Sequence, residues 1–253
     1  MTELPLILVS NDDGVYADGI GHLARAMEGL GRVVVVAPEY EQSAASHSLT
    51  LKRPLRILQV RENVYAIDGT PTDAVTMAIR WILKEAPPVL VVSGINHGAN
   101  LGDDVHYSGT VAAALEGSLL GVPAIAFSLV GRADFHFDSA AVYAREIVKL
   151  VLNQGLPVGT MLNVNVPNLP VDEIRGTRFT VQGKRHYGDI IFENRDPRGK
   201  LYYWIGGNEF DFEDIPESDC NAIRDRFVSV TPIKTSLTDS AFLQTMKQWK
   251  PND

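Results

Sequence analysis

Residues 5–29 read "PLILVSNDDGVYADGIGHLARAMEG", and this stretch decides the fold. Residues 5–10 are apolar without alternation, the pattern of a strand covered on both faces rather than one with a wet side. The run breaks at Asn11, Asp12, Asp13 and Gly14. Residues 18–29 then place Ile20, Leu23, Ala24 and Met27 on one face of a helix. Strand, polar loop and helix in that order open an α/β fold. The loop is also chemically odd, because it sets two adjacent carboxylates at the end of a buried strand.

Working outward, the same pattern recurs. Apolar runs at 32–37 "RVVVVA", 88–93 "PVLVVS", 123–128 "PAIAFS" and 161–166 "MLNVNV" predict further buried strands. Helical spacing at 72–84, 109–120 and 138–153 predicts the intervening helices. Together they predict a parallel sheet flanked by helices. Residues 50–68 alternate apolar and polar, which predicts one or two half-exposed strands. After about residue 170 the pattern changes. A turn signal, "RDPRGK" (195–200), lies between apolar and aromatic residues and predicts a hairpin within 178–207. A strand over 226–233 and a final helix over 239–249 complete the reading.

The chain has 253 residues, 45% hydrophobic and 21% charged, an ordinary globular composition. Such a length buries roughly three quarters of the unfolded surface. A net charge of −8 argues against a nucleic-acid polymer or an anionic membrane as partner, and leaves room for a small phosphorylated ligand beside a cation. Cys220 is the single cysteine, so the chain forms no internal disulfide and no thiolate metal cluster. The N-terminus lacks the basic start of a signal peptide, and no run approaches the length of a membrane span. A cytoplasmic protein is the expectation.

In open α/β sheets, ligands bind outside the carboxyl ends of the strands. The first strand delivers Asp12 and Asp13 there. The second delivers "PEYEQSAAS" with Ser43 and Ser46. The third delivers "SGINHGANLGDDVHYSGT" with Asn96, His97, Asn100, Asp103, Asp104 and His106, and then Ser108, Gly109 and Thr110 at the start of a helix. Adjacent carboxylates repel, and no Lys or Arg lies near them in sequence. A divalent cation resolves the repulsion, and oxygen neighbours favour Mg²⁺, Mn²⁺ or Ca²⁺. The alternative is plain turn chemistry, since Asn, Asp and Gly are common turn residues. A capped helix start with a glycine makes an anion site, or is an ordinary N-cap. The loop histidines His47, His97 and His106 are candidate ligands or proton donors. Arg185, Tyr187, Arg195 and Arg198 are candidates for binding substrate or a partner chain. No Walker loop and no G-x-G-x-x-G is present.

The stretches "ILVSNDDGVYADGI", "GTPTDAV" (69–75), "SGINHGANLGDDVHYSGTVAAALEG" (93–117), "DPRGKLYYWIGG" (196–207) and "VSVTPI" (228–233) resemble the stationary-phase survival protein SurE family, over nearly the whole chain. The resemblance implies a metal-dependent phosphatase of nucleoside 5′-monophosphates that also accepts 3′-monophosphates and, in some members, short polyphosphate. It implies a Rossmann-like core over 1–170, with a C-terminal hairpin and tail over 171–253 that complete the fold and build a homodimer or homotetramer. Carried over by position, it implies one divalent cation per subunit on Asp12, Asp13, Ser43 and Asn96, with Asp12 or Asp13 serving catalysis. It also implies phosphate contacts at Ser108, Gly109 and Thr110, with Asn100 nearby. Two rivals stay open. One is a phosphatase that forms an aspartyl-phosphate, although such enzymes space their acids D-x-D. The other is a phosphoacceptor signalling domain, which needs an aspartate and a lysine that the later strands do not supply.

Overall fold

The apolar runs become strands, and their two faces feed two separate cores. The structure, a computed structural model, describes residues 4–186, 191–205 and 211–249. In β1 (Leu6–Ser10) every residue is buried. Ile7 and Val9 point to one side, where α1 (Asp18–Met27) and α4 (Phe137–Gln154) contribute Ile20, Leu23, Met27, Phe137, Ile147 and Val148. Leu6 and Leu8 point to the other, where α2 (Pro71–Met77) and α3 (Gly109–Leu119) contribute Ala74, Val75, Ala113 and Ala114. A strand that feeds two cores has no wet side, which explains the missing alternation.

The remaining strands are β2 (Arg32–Pro38), β3 (Ile57–Arg61), β4 (Val64–Ile67), β5 (Leu90–His97), β6 (Ala124–Val130), β7 (Thr160–Pro167), β8 (Thr177–Phe179), β9 (Ile191–Arg195), β10 (Leu201–Ile205) and β11 (Val228–Lys234). Eight of them join β1 in one nine-stranded sheet, in the order β3-β4-β2-β1-β5-β6-β7-β11-β8. The central pairings are parallel; β3 with β4 and β7 with β11 are antiparallel. From β1 the chain builds outward first to β2 and later to β5 on the other side. The order therefore reverses between β1 and β5, and this switch point opens the crevice where such sheets bind ligands.

The predicted α/β architecture holds, with local departures. The helix expected over 72–84 is regular only as α2, which a reciprocal Thr70–Asp73 capping box and Pro71 start cleanly. It then widens into a π-helical turn, Ala78–Ile82, closed by Leu83 N donating to Ala78 O over 2.8 Å. The alternating segment 50–68 yields β3, an exposed edge, and β4, which is largely buried because it docks parallel to β2. The C-terminal hairpin is β9 with β10, a separate two-stranded sheet. The earlier part of the predicted hairpin instead gives β8, which joins the main sheet beside β11. A six-residue helix, α5 (Asp219–Arg224), carries the buried Cys220; one and a half turns are too short to leave a legible period. The last helix is α6 (Ser240–Met246). Among the described residues no helix is long and apolar enough to cross a membrane.

Candidate active site

Asn11, rather than either acid, closes the turn after β1. Its Nδ2 donates to Gly14 O at 2.9 Å and its Oδ1 accepts from Gly14 N at 3.2 Å. The Asx-turn role is thus filled, and Asp12 and Asp13 are left for other work.

Asp12 is 4% exposed. Its carboxylate lies against the first turn of α3, where the Thr110 hydroxyl donates to Oδ1 and the Thr110 backbone N–H bonds the same group. Gly109 makes this approach possible. A Cβ there would stand 2.7 Å from Asp12 Cβ and 2.8 Å from Oδ2. Burial raises the Asp12 carboxyl, the Thr110 bond pulls it back, and the Asp13 charge raises it again, leaving it at about 6. Asp13, partly buried, faces the other way. His97 Nδ1 lies 2.9 Å from its Oδ2, and His97 N donates to the same oxygen at 3.4 Å. The bond from Asp13 pushes the His97 imidazole above its ordinary value, against an opposing effect of burial. The edges of Phe135 and Phe137, at centroid distances of 5.2 and 4.9 Å, hold that ring in place.

Asn96 is the penultimate residue of β5, the strand beside β1. Its Nδ2 donates to Gly98 O at 3.0 Å, which leaves the carbonyl end of the amide for a ligand. Ser43 is exposed and donates to Glu41 Oε1 at 2.7 Å. Its neighbour Gln42 is tied to the site, because Gln42 N donates to Asp12 O at 2.8 Å. Ser108 caps α3 by accepting from Val111 N at 3.1 Å. Asn100 is buried and locked: its N donates to Asn165 Oδ1 (2.9 Å), its Nδ2 to Ser128 Oγ (2.7 Å), and its O accepts from Asn163 and Asn165 Nδ2 (2.8 and 3.0 Å). It therefore anchors the loop between β5 and α3. Asp12, Gly109 and Thr110 meet beside β1, Asp13 meets the end of β5 through His97, the residue after Asn96, Ser43 lies one residue from the backbone bond that ties Gln42 to Asp12, Asn100 is locked to β6 and β7, and Ser108 caps α3.

Several supporting residues were not identified from sequence. Asn163 and Asn165 were legible in principle, as polar residues two apart in the buried run "MLNVNV". Asp219 was not. Buried on α5, it accepts from Gly102 N at 2.9 Å and from Gly183 N at 2.8 Å, so it pins the loop from 117 residues away. Asp104, one of the residues that the loop after the third predicted strand delivers, forms a partly buried ion pair with Arg185. Arg195 and Arg198 serve the hairpin turn itself. Tyr187 lies outside the described residues.

The oxygen-rich set suits a hard divalent cation. Asp12 is a buried acid whose partners are a hydroxyl and an amide, and among the described residues no cationic side chain is bonded to it. Among the described residues no three of His, Cys, Asp and Glu cluster as a metal site, so such a set has to draw on hydroxyl and amide oxygens as well as acids. The family model described as "Survival protein SurE" matches residues 7–189. The chain belongs to the SurE family. A "5'-nucleotidase SurE" of Myxococcus xanthus is 55% identical over 245 residues, covering 96% of this chain and 93% of that protein. Another from Geobacter sulfurreducens is 51% identical with the same coverage. The crystal structure of the SurE protein from Aquifex aeolicus superposes with a TM-score of 0.88 at 46% identity, over 96% of this chain and 98% of that one. That SurE protein thus shares the fold along nearly the whole chain.

Proposed function

We propose that the chain hydrolyses nucleoside 5′-monophosphates to nucleoside and phosphate with the help of a divalent cation. The observation that carries this reading is the seating of a buried acid, Asp12, against the first turn of α3, with Gly109 permitting the contact. A carboxylate there stands beside N–H groups and a helix dipole that attract anions. Only a cation between them reconciles that carboxylate with a phosphate at the same helix start. The names of SurE relatives, nucleotidases at about half identity, favour the same reaction over either rival.

In this reading Asp12, Asp13, Ser43 and Asn96 hold Mg²⁺, Mn²⁺ or Ca²⁺. When bound, the cation lowers the pKa of a water and offsets charge on phosphoryl oxygens. The chain's own groups do the rest. Gly109 presents its backbone N–H group, and Ser108 its hydroxyl, to the phosphate oxygens as their charge shifts, while Thr110 beside them holds Asp12 with its own N–H and hydroxyl. Asn100 keeps the loop that carries them in place. Asp12 or Asp13 accepts the proton of the attacking water, and His97 orients Asp13 for that task. Nucleoside 3′-monophosphates and short polyphosphate are further substrates.

The same reading takes 1–170 as the catalytic core and 171–253 as the part that completes it and builds a homodimer or homotetramer in the cytoplasm. The β9–β10 hairpin exposes Ile191, Phe192, Trp204 and Ile205 outside the main sheet, and an isolated two-stranded sheet is marginal without a partner surface. Sedimentation equilibrium measures that assembly.

The decisive test of the reaction is an assay of chelated protein on a nucleotide panel, with Mg²⁺, Mn²⁺, Ca²⁺ and Zn²⁺ added back singly. Turnover returns with a hard divalent ion in the wild type and does not return in Asp12→Asn. Full metal-stimulated turnover by that variant refutes the ligand assignment. A trapped acyl-phosphate would instead favour an aspartyl-phosphate mechanism.

A further inference from the structure

Another buried acid, Glu116, lies on α3 and takes no part in the chemistry above. Glu116 is 8% exposed. The hydroxyl of Thr76, the penultimate residue of α2, donates to its Oε1 at 2.7 Å, and His47 Nε2 lies 2.8 Å from its Oε2. Burial raises the Glu116 carboxyl, but these bonds outweigh it and hold the group below its ordinary range. It is thus an anion with both oxygens occupied.

His47 belongs to the segment between β2 and β3, residues 39–56, which also carries Ser43. That segment holds no helix or strand and is mostly exposed. Ala44 and Ser46 stand at φ 57° and 53°, in the left-handed region that residues with a Cβ avoid. The local sequence does not choose this shape, so contacts from elsewhere impose it. Gln42 N reaches Asp12 O, Ser46 Oγ reaches His106 O at 2.8 Å, and Thr70 Oγ1 reaches Ser48 O at 2.7 Å. The His47–Glu116 contact is charge-assisted and joins this segment directly to α3. One rigid helix therefore references both halves of the candidate cation set. Its first turn touches Asp12, and Glu116, about 9 Å further along the axis, touches the Ser43 segment.

We propose that Glu116 is a positioning residue for the cation: through His47 it fixes the 39–56 segment so that Ser43 meets the Asp12–Asp13 pair. The proposal rests on the ligand set given above, and the experiment separates the two. Mn²⁺ binding to chelated protein is measured by electron paramagnetic resonance for the wild type, Ser43→Ala, Glu116→Ala, Glu116→Gln, His47→Ala and the Ser43→Ala/Glu116→Ala double variant. Glu116→Ala and His47→Ala are expected to raise the Mn²⁺ Kd about tenfold or more, the usual effect of losing an outer partner. Glu116→Gln, which keeps one acceptor oxygen and can donate from its amide to the ring nitrogen of the other His47 tautomer, recovers most of the loss. Because Glu116 acts through Ser43, the double variant binds no worse than Ser43→Ala alone. His47→Ala removes the same contact from an exposed loop, so the test survives if Glu116→Ala does not fold. Wild-type affinity in His47→Ala, or full additivity in the double variant, overturns the proposal while leaving the ligand set intact. A wild type that binds no Mn²⁺ overturns both.

Discussion

Replacing Asp12 by Asn removes a buried charge that only a cation offsets, so chelated protein is expected to become more stable while losing its metal response. The Asp12 carboxyl stands at about 6 in the fold against 3.8 when exposed. A raised acid costs nothing at pH values below 3.8, where both states hold the proton. The cost grows between 3.8 and 6 and is complete above 6. That difference corresponds to about 3 kcal/mol at most, since water entering beside the ionised group recovers part of it. In a chain of this length it moves Tm by about 6–12 °C. Asn keeps an acceptor for Thr110 and adds no charge. Thermal unfolding with a chelator at pH 8 therefore shows Asp12→Asn melting several degrees above wild type, and at pH 4 the gap closes. With Mn²⁺ added, wild type rises and the variant does not. If the chelated variant melts below wild type at pH 8, Asp12 is a structural carboxylate and the reasoning fails.

Gly109→Ala separates helix stability from affinity. Alanine favours a helix by about 1 kcal/mol over glycine, but its Cβ collides with Asp12, so Mn²⁺ titration calorimetry is expected to show at least tenfold weaker binding without any gain in Tm. His97→Ala loses a pair whose imidazole is held above its ordinary pKa. That stabilisation is complete below the unfolded value near 6.5 and fades as pH rises through the folded one. In chelated protein the wild-type advantage is therefore greatest near pH 6 and narrows toward pH 9; a gap that widens with pH contradicts the pairing. Asn165→Ala strips both the acceptor of Asn100 N and one donor to Asn100 O. Urea unfolding should show a loss of about 1–3 kcal/mol, and hydrogen exchange should quicken over residues 98–108.

The parallel sheet was legible because burial on both faces writes itself as unbroken apolar runs; β1, β2, β5, β6 and β7 all lie where those runs stand. The candidate site was legible in part for a related reason. A carboxylate pair at the end of a buried strand has no cheap explanation, and "YSGT" marks a helix start. Elements held by tertiary contacts left weaker traces. β8 is three residues long and exists because β11 is beside it. Asp219 reads as one more acid in an acidic chain, and its partners, Gly102 and Gly183, are backbone N–H groups that no side-chain pattern announces. His97 was visible as a loop histidine, but its partner was not, since Asp13 lies 84 residues away.

These long-range ties bear on why adjacent acids are tolerated at all. Asn11 closes the turn, so the two carboxylates need not share one environment: Asp12 goes to the α3 side of the sheet and Asp13 to the α1–α4 side. Each then finds a different partial remedy, hydroxyl and amide donors for Asp12 and an imidazole for Asp13. The remedies are unequal. Asp13 gains a group that carries charge, whereas Asp12 gains only dipoles and remains raised. The deficit is therefore concentrated on one oxygen-bearing group, beside the helix start that attracts anions. A dication supplied there meets the larger unmet demand, and protons compete with it at Asp12. Cation affinity should accordingly fall about tenfold per pH unit below 6 and level off above it. Mn²⁺ titrations from pH 5 to 8 that show no break near 6 would count against Asp12 as the limiting ligand.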